Sequence, residues 1–336
     1  MLTSGGDCPG LNAVLRAVVR TAIGRFGWEC AGIRNGWKGL LDDEVVPLSS
    51  DAVAGLLFRG GTILGSSRLN PVQDQATSRT LLRKNREQAL DAIIEIGGNG
   101  SLSGAHGMAE MGCPIVGVPK TIDNDIVGTD VTFGFHTAVQ IVTDAIDRLH
   151  TTAESHNRII VVETMGRNTG WIALESGLAG GADVILIPEQ PFDYDDICAL
   201  LQKRHQRRNY SIIVAAEGAM PAGGDSVTTG EVDEVGRQQL GGIGHVIADQ
   251  IERRLGIDAR VTVLGYVQRG GTPVAYDRLL ATRFGANAVT AVAEKRFDHF
   301  TALHGSRIEL VPLSEMAGKV KTVPPESYAL ATTFFG

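Results

Sequence analysis

Along this chain a short apolar run repeatedly ends in a cluster of glycines, and a helical stretch follows. Strands of this kind are apolar on both faces, so they must be covered on both sides. The alternation therefore predicts an α/β fold with mainly parallel sheets and helices on both faces. Glycine is the compositional outlier, at 42 of 336 residues, and it gathers at strand ends rather than in a linker. In open α/β sheets those ends are where ligands bind. The length suits two domains or one large unit.

A net charge of -7 argues against a nucleic-acid surface and suits a metabolite-handling protein. Cys8, Cys30, Cys113 and Cys198 lack metal-ligand spacing and form no disulfide framework, so they read as buried thiols in a reducing compartment. No apolar run reaches about 18 residues, and the start lacks a charged region followed by an apolar one. A cytoplasmic protein without a membrane span is expected.

The stretch Pro119-Lys120-Thr121-Ile122-Asp123-Asn124-Asp125 follows an apolar run at 115–118. Extended geometry would turn Asp123 and Asp125 to the same side, one to take the proton of an attacking hydroxyl, the other to orient it or hold a metal. An Asx-rich turn accounts for the same residues without chemistry. Ser4-Gly5-Gly6-Asp7 leads into a helix at 11–23 and offers backbone amides to an anion. Only residues 1–3 precede this loop, where a strand is normally found. After a short helix at 51–58, the segment 59–68 places glycines among hydroxyl residues and closes on Arg68, a second phosphate loop or a plain surface turn. Gly97-Gly98-Asn99-Gly100-Ser101 ends the strand 92–96 and forms a third loop.

Farther on, Met165-Gly166-Arg167 ends the strand 159–163, the strand 211–216 delivers Glu217-Gly218, and a strand at 260–266 precedes Gln268-Arg269-Gly270-Gly271-Thr272-Pro273. Residues 221–230 read as a surface loop or flap. Gly242-Ile243-Gly244 opens a helix to Arg254 but lacks the preceding strand of a dinucleotide fingerprint.

Taken in order from residue 2 to about residue 310, these loops resemble the signature segments of phosphofructokinases. The resemblance implies a two-domain fold: 1–134 plus about 268–318 for the phosphoryl donor, and about 135–267 plus 319–336 for the sugar phosphate. It implies fructose 6-phosphate as acceptor and Mg2+ as cofactor; the family alone does not settle the donor, and Gly100 favours ATP. Asp123 matches the sugar-activating base, with Thr121 and Asp125 beside it. Gly5, Gly6, Arg68, Gly100, Ser101 and Lys120 match the donor side. Arg158, Met165, Gly166, Arg167, Glu217, Arg260, Tyr266 and Arg269 match sugar-phosphate contacts, some of them reaching into a neighbouring subunit of a dimer or tetramer.

Three departures stand out against the family. Asn99 occupies the place of an acidic residue that helps hold magnesium, and a carboxamide is a weaker ligand for a hard cation. Tyr266 replaces a histidine. The first strand is missing before Leu2, so either the sheet lacks a central member or the chain starts downstream of its true beginning. The donor signals conflict, because Gly100 leaves open the space that an aspartate fills in pyrophosphate users, whereas Lys120 matches a lysine that contacts the donor in those enzymes. A pyrophosphate-dependent enzyme is therefore the alternative; a non-catalytic regulatory subunit that binds the sugar phosphate, and a glycine-loop kinase of lipids or NAD, are further ones.

Overall fold

A computed structural model describes residues 1–232, 236 and 238–336. The chain forms two compact units, one of Met1–Thr137 with Arg269–Val320, the other of Ala138–Gln268 with Lys321–Gly336. The first unit is built on one sheet. Its strands run in the order Arg307–Pro312, His299–His304, Ile115–Thr121, Ile93–Gly97, Leu2–Ser4, Ala31–Ile33 and Val45–Pro47, with Phe133–Gly134 beside Ile115–Thr121. Pairing is parallel except at the two outer pairs. The strand expected to be missing is therefore present. Leu2–Ser4, only three residues long, lies between Ile93–Gly97 and Ala31–Ile33. Three residues suffice there because hydrogen bonds on both sides and complete burial replace length.

Ile93, Ile96, Ile115, Val116 and Val118 are wholly buried. A continuous apolar run is what a strand covered on both faces requires, and each such side chain contributes about 1.5–3 kcal/mol by burial. Helices Leu11–Phe26 and Ala275–Ala293 pack so closely that a β-carbon on Gly285 would stand 2.9 Å from Ala17 Cβ and from the Val14 carbonyl. Helix Gln75–Glu87 starts where the Asp74 carboxylate accepts the Thr77 N–H at 2.8 Å. The helix expected at 51–58 is a series of turns. Gly55, at φ 71°, interrupts it.

The second unit carries a parallel sheet in the order Ala259–Val263, Ile159–Thr164, Ser211–Ala216, Val184–Leu186. Ile159, Val161, Ile213, Ile247 and Ile251 fill one side of it. A small antiparallel pair, Thr228–Val232 with Gln238–Leu240, begins inside the segment expected to be a loop at 221–230. Ala259–Val263 is shorter than the expected strand at 260–266, since Gly265 turns left-handed at φ 49° and starts the 3-10 helix Gly265–Arg269.

Helix Ile243–Leu255 accounts for the glycines before it. Both Glu163 oxygens accept the Gly242 N–H at 3.0 and 3.2 Å, and Oε2 accepts the Gly244 N–H at 2.8 Å. The anion at this helix N-terminus is thus the protein's own carboxylate. Glu163→Ala leaves those amides without acceptors, and a loss of about 1–3 kcal/mol is expected, measured as a lower midpoint in urea. Among the described residues, no helix is long and apolar enough to cross a membrane.

Candidate active site

Within the first unit, three neighbouring strands end side by side, and each delivers a loop. Leu2–Ser4 runs into Gly5 and Gly6, Ile93–Gly97 into the start of helix Asn99–Glu110, and Ile115–Thr121 into Asp123. Their closeness is set by small residues. A β-carbon on Gly5, which sits at φ 80°, would lie 3.2 Å from Ser101 Oγ and 3.7 Å from Lys120 Nζ. On Gly6 it would lie 2.6 Å from Arg269 Nη1. Lys120 is buried and donates to the Gly6 carbonyl, while Arg269 donates to the Asp7 carbonyl at 3.3 Å. Two cations thus hold one glycine turn.

The Asp123 N–H donates to Thr121 Oγ1 at 3.1 Å. Burial raises the Asp123 carboxyl above the usual carboxylate range; Arg269, then Lys120, then the Thr121 hydroxyl oppose that rise. Burial pushes the Lys120 ammonium down, the opposite direction, as expected for a cation. An aspartate with a raised pKa is a better proton acceptor than an exposed one. The extended geometry expected across Asp123 and Asp125 is not present. Asn124 between them is left-handed at φ 51°, and its carboxamide accepts the Thr132 N–H at 3.1 Å, so the chain turns here and strand alternation does not relate the two carboxylates.

The second loop, ending at exposed Arg68, is held from behind by a residue that pattern reading missed. Asn12, buried on helix Leu11–Phe26, donates to the carbonyls of Arg59 and Gly60 at 3.1 and 3.0 Å and accepts the Ile63 N–H at 2.9 Å. A polar residue on an otherwise apolar helix face was the available signal. Asn99 opens helix Asn99–Glu110 and donates from its carboxamide to the Lys319 carbonyl at 2.5 Å, which leaves the carboxamide oxygen for other use. Gly100 is exposed, and a β-carbon there would meet nothing within 4 Å. Among the described residues, no group of three or more His, Cys, Asp or Glu side chains could hold a metal ion.

In the second unit a separate cluster forms at the ends of Ile159–Thr164 and Ser211–Ala216. The Glu217 N–H donates to the Thr164 carbonyl at 2.8 Å, the Gly218 N–H to the Gly166 carbonyl at 3.1 Å, and the Met165 N–H to Gln268 Oε1 at 3.2 Å. Met165, Gly166, Arg167 and Glu217 are thereby brought together. Arg158 and Arg260 both pair with Asp258, the latter at 2.6 Å. Tyr266 is 76% exposed on the 3-10 helix. Arg269, read from the sequence with the sugar-phosphate contacts, lies against Gly6 and Asp7 in the first unit.

A model of the family described as phosphofructokinase matches residues 1–292. The chain belongs to the phosphofructokinase family. It is a phosphotransferase that acts on an alcohol group, in an α/β fold. A pyrophosphate–fructose 6-phosphate 1-phosphotransferase of Amycolatopsis methanolica is 54% identical over 337 residues, covering 100% of this chain and 99% of that one. An ATP-dependent 6-phosphofructokinase of Corynebacterium efficiens is 53% identical over 338 residues, covering 100% and 98%. The crystal structure of Pichia pastoris phosphofructokinase in the T-state matches with a TM-score of 0.85 at 32% identity. That match covers 99% of this chain and 36% of the yeast chain. The relatives thus carry names of both donor classes.

Proposed function

We propose that this phosphofructokinase transfers the terminal phosphoryl group of ATP to the 1-hydroxyl of fructose 6-phosphate, giving fructose 1,6-bisphosphate. The observation that carries the reading is the convergence of Lys120, Arg269 and Asp123 on the turn of Gly5 and Gly6. In-line phosphoryl transfer asks for cations and backbone amides around the moving group and a carboxylate to align the attacking oxygen. Asp123 accepts the sugar hydroxyl proton, Thr121 positions Asp123, and Gly5, Gly6, Arg68, Gly100, Ser101 and Lys120 hold the donor. Magnesium would be held by the Asn99 carboxamide oxygen, a weak ligand, and the donor phosphates, whose charge it would offset, since no carboxylate cage is present among the described residues; Asp125 would orient the hydroxyl or reach the ion. The four free thiols suit a reducing, cytoplasmic setting.

Open space at Gly100 supports ATP. Pyrophosphate is the second reading, and the specific observation behind it is Lys120, whose buried ammonium reaches the Gly6 carbonyl. Turnover of fructose 6-phosphate with magnesium and each donor tests the assignment. No product with either donor contradicts it and favours a regulatory, sugar-phosphate-binding subunit.

In the second unit, Met165, Gly166, Arg167, Glu217 and Tyr266 bind the sugar phosphate, and Arg158 and Arg260 serve the site of a neighbouring copy. Val263, Tyr266 and Val267 are exposed at and just beyond the end of the edge strand Ala259–Val263, apolar surface suited to a second copy. The active species is then a dimer or tetramer. Sedimentation at assay dilution checks this: a fully active monomer would contradict it.

A further inference from the structure

Behind the turn of Gly5 and Gly6 lies a carboxyl group that the proposed transfer does not use. Glu95 is fully buried in the central strand Ile93–Gly97, paired in register with Leu2 on one side and Gly117 on the other. Its Oε2 accepts the indole N–H of Trp37 at 3.0 Å. Its Oε1, the Ser4 hydroxyl and the Ser67 hydroxyl are three buried polar atoms without a hydrogen-bond partner.

These atoms form one cluster. Ser4 and Ser67 are bridge partners, and a β-carbon on Gly36 would stand 3.2 Å from Ser4 Oγ and 3.1 Å from Ser67 Oγ. Gly36 opens the helix Gly36–Leu41 that carries Trp37. The Ser4 hydroxyl lies near enough to the Glu95 carboxyl to favour its charged form, though short of hydrogen-bond geometry. Lys120 on the adjacent strand is the cation that faces the group, and it too favours ionisation. Cys113 faces it as well; burial pushes that thiol up to about 12, so it stays neutral. One indole, a nearby serine hydroxyl and a distant ammonium are thin support for a buried carboxylate. A neutral acid can donate to one hydroxyl oxygen and accept from another, and it does so without placing a charge behind the donor loop.

The cluster reaches the donor loop directly. Gly5 N–H donates to the Ser67 carbonyl at 2.9 Å, and Ser66 Oγ donates to the Gly5 carbonyl at 2.5 Å. We propose that Glu95 is a positioning residue: as a neutral acid it braces Ser4 and Ser67, and through them the Gly5 turn, and its ionisation weakens donor binding while sparing the sugar site. The inference rests on the assignment of Gly5 and Gly6 to the donor.

Burial raises the Glu95 carboxyl from 4.5 to about 8, so the change falls under mildly alkaline conditions. The same shift makes the folded state hold a proton that the unfolded chain has lost. Stability should therefore fall as pH rises from 4.5 through about 8 and level off above it.

Glu95→Gln keeps the shape and stays neutral at every pH. In the wild type the KM for magnesium ATP, or for magnesium pyrophosphate, is expected to rise about tenfold between about pH 7 and pH 9.5 in excess of any rise in Glu95→Gln. The KM for fructose 6-phosphate should match in the two proteins. Because Lys120 faces the same group, the difference between wild type and variant at each pH is the quantity to read. Identical donor profiles in both overturn the proposal. A second measurement needs neither turnover nor a folded Glu95→Gln variant. With Trp28 and Trp171 replaced by phenylalanine, Trp37 emission should titrate near pH 8, because the carboxyl beside its indole gains charge there. A flat profile overturns the proposal, whereas titration without turnover by either donor sinks only the functional assignment.

Discussion

Asp123→Asn is expected to lower kcat by about 10² to 10⁴ or more while fructose 6-phosphate binds with little change. The substitution keeps the volume of the side chain and the Asp123 N–H bond to Thr121 Oγ1, so the turn survives and only the proton acceptor is lost. Steady-state kinetics beside calorimetric titration of the sugar phosphate separates the two effects. In the wild type, burial raises this carboxyl, so the acid limb of kcat should lie above the range of an ordinary aspartate. Below that limb the protonated group cannot accept the hydroxyl proton. An active Asp123→Asn enzyme would remove Asp123 from the mechanism and leave the two cations at Gly6 with a binding role alone.

Gly100→Asp carries the second large effect. A side chain there meets nothing within 4 Å, and an acidic residue in the first turn of helix Asn99–Glu110 is favoured by the helix dipole, so the fold should tolerate it. The loss falls on the ligand. A carboxylate beside the inner phosphates of a nucleotide adds like-charge repulsion worth several kcal/mol, enough for a fall of more than about 10² in kcat/KM for ATP. Pyrophosphate lacks that part of the donor, and its use should fall less or emerge. Lys120→Gly should act in the opposite sense: both donors lose the cation that holds the Gly6 carbonyl, and pyrophosphate use should fall further than ATP use. Equal losses for both donors in Gly100→Asp would mean that Gly100 only shapes the loop.

Strands buried on both faces were the most legible part of the fold, because few structures other than a covered strand call for a short, unbroken apolar run between turns. Ser211–Ala216 has the limits read from its residues, and Ile115–Thr121 contains the run that announced it. Short elements held by neighbours were not legible. Leu2–Ser4 is a strand because two others pair with it, and residues 51–58 are turns although their composition suits a helix. At the site, the glycine loops and the segment at Asp123 could be read, whereas the turn at Asn124 could not, since a left-handed asparagine breaks the period of two silently. Asn12 and Glu95 act on residues far along the chain, and the Gly242 amide is taken by a carboxylate 79 residues away. Such pairings exist only once the sheet has formed.

On this proposal Asp123, Lys120 and Arg269 around the Gly6 turn make a fructose 6-phosphate kinase, and open space at Gly100 gives it a preference for ATP. The most direct test is kcat/KM of the wild-type protein with fructose 6-phosphate and magnesium, measured with ATP and with pyrophosphate under one set of conditions. The account predicts product with ATP at the higher efficiency of the two. Higher efficiency with pyrophosphate, or no product with either donor, would contradict it.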